Sequence, residues 1–365
     1  MAFLDAVNTI TQKTIVPGMV DQVFKSGPTM AFLKRNCLEK WAGGPSWQEN
    51  FLYGMLDVAP YTPGEDFDYI DQQIFTGGTV TPRYYNVPVP ALLEKVKLEM
   101  AGPNAVFNYI DTIMMAAANT LSAKLAIDIF RHGQTGSTTG SRVKNINGLA
   151  EALNDGDKAG TGDTIATGPF TEHYATYLTL TRNDANIGEA LNSPITASQG
   201  YVAGYVNGPI SYPILEQAFS SVVYGTESPD LLVTTNKGLS LIKLAFHAQQ
   251  RYEGTSADFG FQGVKFNGTT IFADRYAPGS DLVSAQEAAK LSRGTSGSAE
   301  LAGETLWFLN TKYIRFYVST DPLFGFGFTG FLPSQDNSRV VGHYHFAGNL
   351  TVQAPRLMRV LWGIS

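Results

Sequence analysis

The stretch PNAVFNYIDTIMMAAANTLSAKLAIDIFR, residues 103–131, is the longest unbroken helical pattern in the chain. Apolar side chains recur at Val106, Ile110, Ile113, Ala117, Leu121, Leu125 and Ile129, the three-and-four spacing that aligns one stripe of an α-helix. Gly102 and Pro103 open it, because proline at the first helical position gives up only a donor that had no partner anyway, and Gly133 supplies the stop. At ~1.5 Å per residue the element spans about 40 Å, more than a compact domain of ordinary size needs, so it reads as a strut. Asn108, Asp111, Asn119, Lys124 and Asp128 interrupt the apolar content, which argues against a membrane span. No catalytic centre accompanies it; by physics alone the residues yield a scaffold.

Upstream, residues 1–45 read as short helices joined by turns: AVNTITQK, PGMVDQVFKSG and PTMAFLKRN. None is long enough to be stable in isolation, so they must lie on another surface. From residue 46 to 90 the pattern is a long hairpin with an irregular tip, its first arm running from Trp47 to Leu56 and its return beginning at Thr79. Pro82, Pro88 and Pro90 cannot donate to a ladder and favour an edge or an exposed ribbon. Pro63 and Gly64 turn the tip, beside an acidic cluster at Glu65, Asp66, Asp68 and Asp71 that reads as solvated rather than as a metal loop. Such a ribbon cannot build its own core and needs a partner surface, in this chain or in a neighbour.

Downstream of the strut, residues 133–145 and 155–168 are small-residue loops. A helix is expected over 213–224 with Gly225 as its terminator, then a buried strand in PDLLVTT and an amphipathic helix with Leu239, Ile242, Phe246 and Gln249 in register. Asn267 and Gly268 between FQGVKF and TTIFADRY signal a type I′ hairpin. TLWFLNTKYIRFYV reads as one strand, and the ending HYHFAGNLTVQAPRLMRVLWGIS as strand again with Gly348 and Asn349 as a turn.

Composition narrows the function classes. The chain has 365 residues, 16% charged and 12% aromatic, with 37 glycines, which suits mixed α and β structure with large contact surfaces. Its net charge of −6 and lack of basic runs argue against a dedicated nucleic-acid binder. The single cysteine, Cys37, excludes an internal disulfide and reads as a small buried hydrophobe. The first residues, MAFLDAVNTITQK, are no signal peptide, so the Asn267 and Asn349 sequons read as turns.

The remaining motifs carry no chemistry. Gly325, Gly327 and Gly330 satisfy G-x-G-x-x-G, but Pro333 and a polar run follow where a dinucleotide site needs a helix, so alternating glycines with Phe324, Phe326, Phe328 and Phe331 read as a glycine–aromatic segment packed at an interface. His343 and His345 share a strand face without a third metal ligand, and His132, His173 and His247 are scattered. No serine lies in a nucleophile elbow. No cofactor, metal or catalytic residue is expected.

The order of these segments resembles the tailed-bacteriophage major capsid proteins of the HK97-like fold. PTMAFLKRN followed by GGPSWQENFLYGM looks like that family's passage from N-terminal arm into extended loop; residues 87–133 look like its spine helix and lead-in; residues 214–242 are similar to its axial-domain pattern; and FLPSQDNSRVVGHYHFAGNLTVQAPRLMRVLWGIS is similar to its ending. The resemblance implies an α+β fold with an N-terminal arm (1–45), an extended hairpin or E-loop (46–90), a peripheral domain with the spine helix (91–145), an axial domain (146–310) and closing strands returning to the peripheral domain (311–365). It implies a structural protein, not an enzyme, that forms hexamers and pentamers of an icosahedral shell, assembles in the host cytoplasm around double-stranded DNA touched non-specifically, and meets scaffolding, portal and decoration proteins. Candidate inter-subunit contacts are Phe3, Leu4 and Phe32 on the arm, Tyr61, Glu65, Asp66 and Asp68 at the ribbon tip, and Phe324, Phe326 and Phe328. The lysine–asparagine cross-link of some relatives is not carried over, since Lys95 and Lys97 lie at the foot of the ribbon. Two other classes remain: a bacterial nanocompartment shell of the same fold, and a monomeric β-rich binding protein or enzyme with a ligand near 325–330.

Overall fold

The computed structural model describes residues 27–66, 72–92, 109–131, 133, 144–154, 176–182, 187–194, 205–245, 264–279, 303–333 and 339–365. In chain order the elements are helix α1 (Pro28–Asn36), strands β1 (Leu38–Trp41), β2 (Trp47–Leu52), β3 (Phe75–Val80) and β4 (Arg83–Leu92), and the long helix α2 (Tyr109–Asp128). Two single-turn helices, α3 (Leu149–Ala152) and α4 (Gly188–Leu191), flank a small hairpin of β5 (Thr176–Tyr177) and β6 (Leu180–Thr181). Then come β7 (Tyr205–Gly208), α5 (Tyr212–Ser220), β8 (Leu231–Thr234), α6 (Asn236–Ala245), β9 (Val264–Phe266), β10 (Thr269–Ala273), β11 (Glu304–Leu309), β12 (Ile314–Ser319), β13 (Gly325–Phe328), β14 (Leu332–Pro333), β15 (Arg339–Val352) and β16 (Arg359–Ile364).

Two six-stranded sheets organise the molecule. The first is built on β15, which pairs with β4 along one side and with β12, β13 and β14 in succession along the other, while β1 joins β12 in parallel. The second runs β7-β16-β11-β8-β10-β9. Helix α2 buries Ala117, Leu121 and Leu125, with Ile129 just past its end, the stripe expected from its spacing, and from Leu125 onward the chain is buried on every side. Its last turn meets the second sheet through Phe130, whose ring lies 5.4 Å from that of Trp307. One face of the second sheet (Leu231, Val233, Trp307, Leu309, Val360, Trp362) shares the large core with α2 and with Phe316, Phe346 and Leu350 of the first sheet. The other face (Leu232, Leu306, Phe308, Leu361) is covered by Leu215, Ala218 and Phe219 of α5 and by Leu239 and Ile242 of α6. Coverage on both faces is why PDLLVTT is a continuous apolar run without alternation.

The buried polar groups tie segments far apart in sequence. Asp128, fully enclosed at the end of α2, accepts from Tyr85 Oη at 2.9 Å and Asn145 Nδ2 at 3.4 Å and pairs with Lys124 at 2.9 Å. Arg182 is also fully buried and donates to the carbonyls of Asn154, Leu191, Glu151 and Ala152, which ends α3 and α4 against one guanidinium. A buried charge is tolerable only when its hydrogen-bonding capacity is met in this way.

Several expectations are met. The hairpin at Asn267–Gly268 turns with φ of 45° and 82°, pairing Phe266 with Thr269, and α1 covers PTMAFLKRN; α5, by contrast, stops at Ser220, short of the expected end, and Gly225 turns the chain between Tyr224 and Glu227 at φ 62°. Others are corrected. The return of the hairpin splits: only β3 pairs with β2, whereas β4 crosses to β15 and forms an edge of the first sheet, where Pro88 and Pro90 give up no ladder bond. Residues 305–318 are two strands in different sheets, separated by a 3-10 turn in which Asn310 Oδ1 accepts from Lys312 N and Asp230 Oδ1 from Thr311 N. Gly348 and Asn349 lie inside β15 and make no turn; a Cβ at Gly348 would stand 2.1 Å from the Tyr317 carbonyl, and Asn349 bridges Thr81 O and Asn147. The reversal follows instead at Pro355–Leu357, and β16 then pairs with β11 and β7 in the second sheet. The segment after Pro28 is not loose either. Met30, Leu33 and Cys37 are in the main core, and Thr29 N donates to Asp274 Oδ2 at 3.1 Å. Residues 1–26, 103–108 and 246–249, on which other expectations rest, lie outside the described residues.

Candidate subunit interface

The ribbon has a buried root and an uncovered length. At the root, β2 and β3 pair in register from Trp47–Val80 to Leu52–Phe75. Glu49, Phe51 and Val80 are buried. Glu49 is held by neutral donors, accepting from Thr351 Oγ1 at 3.2 Å and Gln353 Nε2 at 2.9 Å, and it hydrogen-bonds the Tyr317 hydroxyl. Burial, then Glu49, pushes the Tyr317 hydroxyl above its ordinary value. On the other strand, Thr79 N donates to Leu178 O at 2.9 Å, and a Cβ at Gly78 would meet Leu178 Cβ at 2.9 Å. The β5–β6 turn makes this close approach with Leu178 and Thr179 at positive φ (47° and 71°), a conformation that costs non-glycine residues of order 1 kcal/mol each. The clamp fixes where the ribbon leaves the body.

Beyond Leu52 the strands give way to a narrow irregular extension. Tyr53 N and Gly54 N both donate to Ile74 O, Asp57 N donates to Gln72 Oε1, and the tip closes where Glu65 N donates to Thr62 O and Thr62 N to the Glu65 carboxylate at 2.7 Å. Each of these hydrogen bonds is within the ribbon. Leu52, Met55, Leu56, Val58, Tyr61 and Phe75 all face solvent, Met55 at 83% and Val58 at 94% exposure. A chain this rich in core places six large apolar side chains on one projection, a concentration of the kind that interaction surfaces carry. Covering each contributes roughly 1.5–3 kcal/mol.

The sequence-derived contacts divide accordingly. Tyr61, Glu65 and Asp66 sit exposed at the ribbon tip, with Glu65 spent on the turn. Phe32 packs partly buried against its own core. The glycine–aromatic segment is β13, paired antiparallel with β15 and followed by the short strand β14 where a dinucleotide site would open a helix. Its rings lie on their own sheet: Phe326 is 4.7 Å from Phe346 and beneath Lys34 Nζ at 4.5 Å, Phe328 is 4.8 Å from Tyr344, and Phe324 is 5.4 Å from His345. Burial lowers the Lys34 amine. They are half-buried and not a free patch. Phe3, Leu4 and Asp68 lie outside the described residues. Sequence reading missed Leu52, Met55, Leu56, Val58 and Phe75, because apolar residues in a strand pattern read as core-facing until the partner sheet is known.

Among the described residues no three His, Cys, Asp or Glu side chains cluster as metal ligands, and no helix is long and apolar enough to cross a membrane. His343 and His345 stack at 5.8 Å, with Asn86 beside His343 Nδ1.

Known structures share this architecture over nearly its full length. The chain matches a cyanophage A-1(L) capsid with a TM-score of 0.61 at 13% identity, covering 97% of each chain. It matches the holo-SrpI encapsulin of Synechococcus elongatus PCC 7942 at 0.58 and 9% identity, covering 99% of this chain and 95% of that one. The capsid of a native GTA particle matches at 0.57 and 9% identity, over 97% and 95%. The fold is therefore one used by shell proteins, and in particular it is the HK97-like capsid fold. No protein-family model matches the sequence, and no curated protein does.

Proposed function

We propose that this chain is the major capsid protein of a tailed bacteriophage, self-assembling into the icosahedral shell that encloses a packaged double-stranded DNA genome. The observation that carries the reading is the ribbon, rooted by Glu49 and Phe51 and bare at Leu52, Met55, Leu56, Val58, Tyr61 and Phe75. A projecting limb with six uncovered apolar side chains is stable only against another surface, and repeated head-to-tail contacts between copies close into rings. In that reading residues 46–90 are the E-loop, α2 belongs to the spine helix of a peripheral domain, and the second sheet with α5 and α6 is the axial domain. Phe3, Leu4, Tyr61, Asp66 and Asp68 meet neighbouring copies in hexamers and pentamers. The chain does no catalysis. Its net charge of −6 lets DNA be packed and released without being held, and strong duplex binding with a steep salt dependence would contradict this. Scaffolding, portal and decoration proteins are the expected partners, the host cytoplasm the place of assembly, and the virion capsid the destination.

The second reading is a nanocompartment shell, which the encapsulin match favours. Negative-stain microscopy of the expressed protein, with analysis of what the particles contain, separates the two. Closed shells that carry a genome and a portal vertex in the virion support the capsid; shells loaded with an enzyme and no genome support the compartment; a persistent single chain defeats both.

A further inference from the structure

On the outer face of the first sheet, a cleft of about 480 Å³ opens between Trp41, Tyr84 and Phe324, with Asp321 on its rim. Its shape follows from the register. Ser319 lies opposite Trp41, and Ala347 opposite Tyr84, so small side chains make the floor between large rings. Tyr84 and Phe324 stand edge-on at 6.4 Å, and Trp41 is braced from behind by Trp47 at 5.5 Å, which in turn rests on Tyr317 at 4.8 Å. The rings are thus held in place. Asp321 Oδ1 accepts from Leu323 N at 2.8 Å and Phe324 N at 3.3 Å, while Oδ2 has no donor among the described residues.

We propose that this cleft binds a basic side chain, arginine above lysine, presented by a polypeptide segment of another protein. Ring faces carry partial negative charge and attract cations, and a carboxylate oxygen without a donor completes the pairing. A flat guanidinium suits a slot walled by rings and floored by Ser319 and Ala347 better than a compact ammonium does. The same carboxylate repels phosphate, so a nucleotide stacked on the rings is disfavoured. The ribbon of a second copy is a poor occupant, since its described residues 47–66 and 72–80 include acids and no lysine or arginine. The site is separate from the ribbon surface and does not depend on shells forming.

Full-length protein labelled with 5-fluorotryptophan gives four fluorine resonances, one for each tryptophan, and a Trp41→Phe variant assigns the one that matters. The probe is N-acetyl-arginine methylamide; its control is the citrulline counterpart, equal in shape and uncharged. The arginine probe is expected to shift the Trp41 resonance saturably and the citrulline probe at least about tenfold more weakly. Asp321→Asn keeps an oxygen for the Leu323 and Phe324 amides, so the turn survives, and it is expected to weaken the arginine probe about tenfold. Tyr84→Leu, at an exposed site, is expected to weaken it several-fold. Unmoved resonances of Trp307 and Trp362, both buried away from the cleft, report an intact fold in each variant. No saturable shift with the arginine probe, an equal response to citrulline, or undiminished binding by Asp321→Asn would overturn the proposal.

Discussion

Cys37 sits in the main core, its Sγ donating weakly to Thr311 O at 3.4 Å, and burial pushes the thiol up to about 12, with the nearby Asp230 charge adding to it. The neutral thiol is therefore the form the fold prefers. The stability it contributes is complete below the ordinary thiol value of 9.0 and is lost as pH rises from there to about 12, where the unfolded chain sheds its proton first. Urea denaturation at stepped pH is expected to show a shallower alkaline loss in Cys37→Ala than in the parent; identical slopes would mean the thiol does not respond to its burial. Tyr85 is a second single-residue test. Its hydroxyl donates to Asp128 Oδ2 and accepts from Ile146 N, both at 2.9 Å. Burial pushes it well above its ordinary value, with Asp128 adding to the rise, so it stays a donor at any workable pH. Tyr85→Phe leaves a buried carboxylate and a buried amide each one partner short and is expected to cost about 1–3 kcal/mol in chemical denaturation.

Strand β15 is the element on which the first sheet depends, and its glycines show what its neighbours demand. At Gly348 a Cβ would stand 2.1 Å from Tyr317 O, fixed by the β12 pairing, and 2.8 Å from the Phe346 ring, which is stacked on Phe316. Gly348→Ala must push β12 from β15 and is expected to cost about 1–3 kcal/mol, lowering the melting temperature by several degrees. The sequence suggested a turn there because glycine followed by asparagine usually means one; the actual reason, two backbones pressed together, depends on a strand 30 residues earlier. The same limit explains the other misreadings. Helices α2, α5 and α6 and the Asn267 hairpin were legible, since their signals are local: an apolar stripe and a pair of left-handed turn residues. The break at Asn310, the departure of β4 from its hairpin partner and the parallel pairing of β1 were not, because strand partnership is decided by which distant apolar face must be covered. At the candidate interface, the tip residues Tyr61, Glu65 and Asp66 could be found from turn chemistry and acidity, whereas the bare run from Leu52 to Val58 could be recognised only once the body it leaves was known.

At the scale of the whole molecule, a well-filled body contrasts with one limb whose large apolar side chains Leu52, Met55, Leu56, Val58, Tyr61 and Phe75 stand exposed beyond its root. Two sheets share a core around α2, and the second sheet is covered again by α5 and α6, so the body is complete without the ribbon. On the proposed reading, the ribbon's apolar side chains contribute to stability only when copies meet. Replacing Met55 and Val58 together by aspartate touches no contact of the body and is expected to change the stability of the single chain by less than about 0.5 kcal/mol per site. The same change places two charges where a neighbour must seal against water, at a cost no apolar contact nearby offsets. The most direct test of this account is analytical ultracentrifugation of the parent and of this Met55→Asp, Val58→Asp variant at equal concentration, with circular dichroism to compare their folds. The account predicts shell-sized particles from the parent and a folded species near 39.5 kDa from the variant. Shells of equal yield from the variant, or a parent that stays single at millimolar concentration, would contradict it.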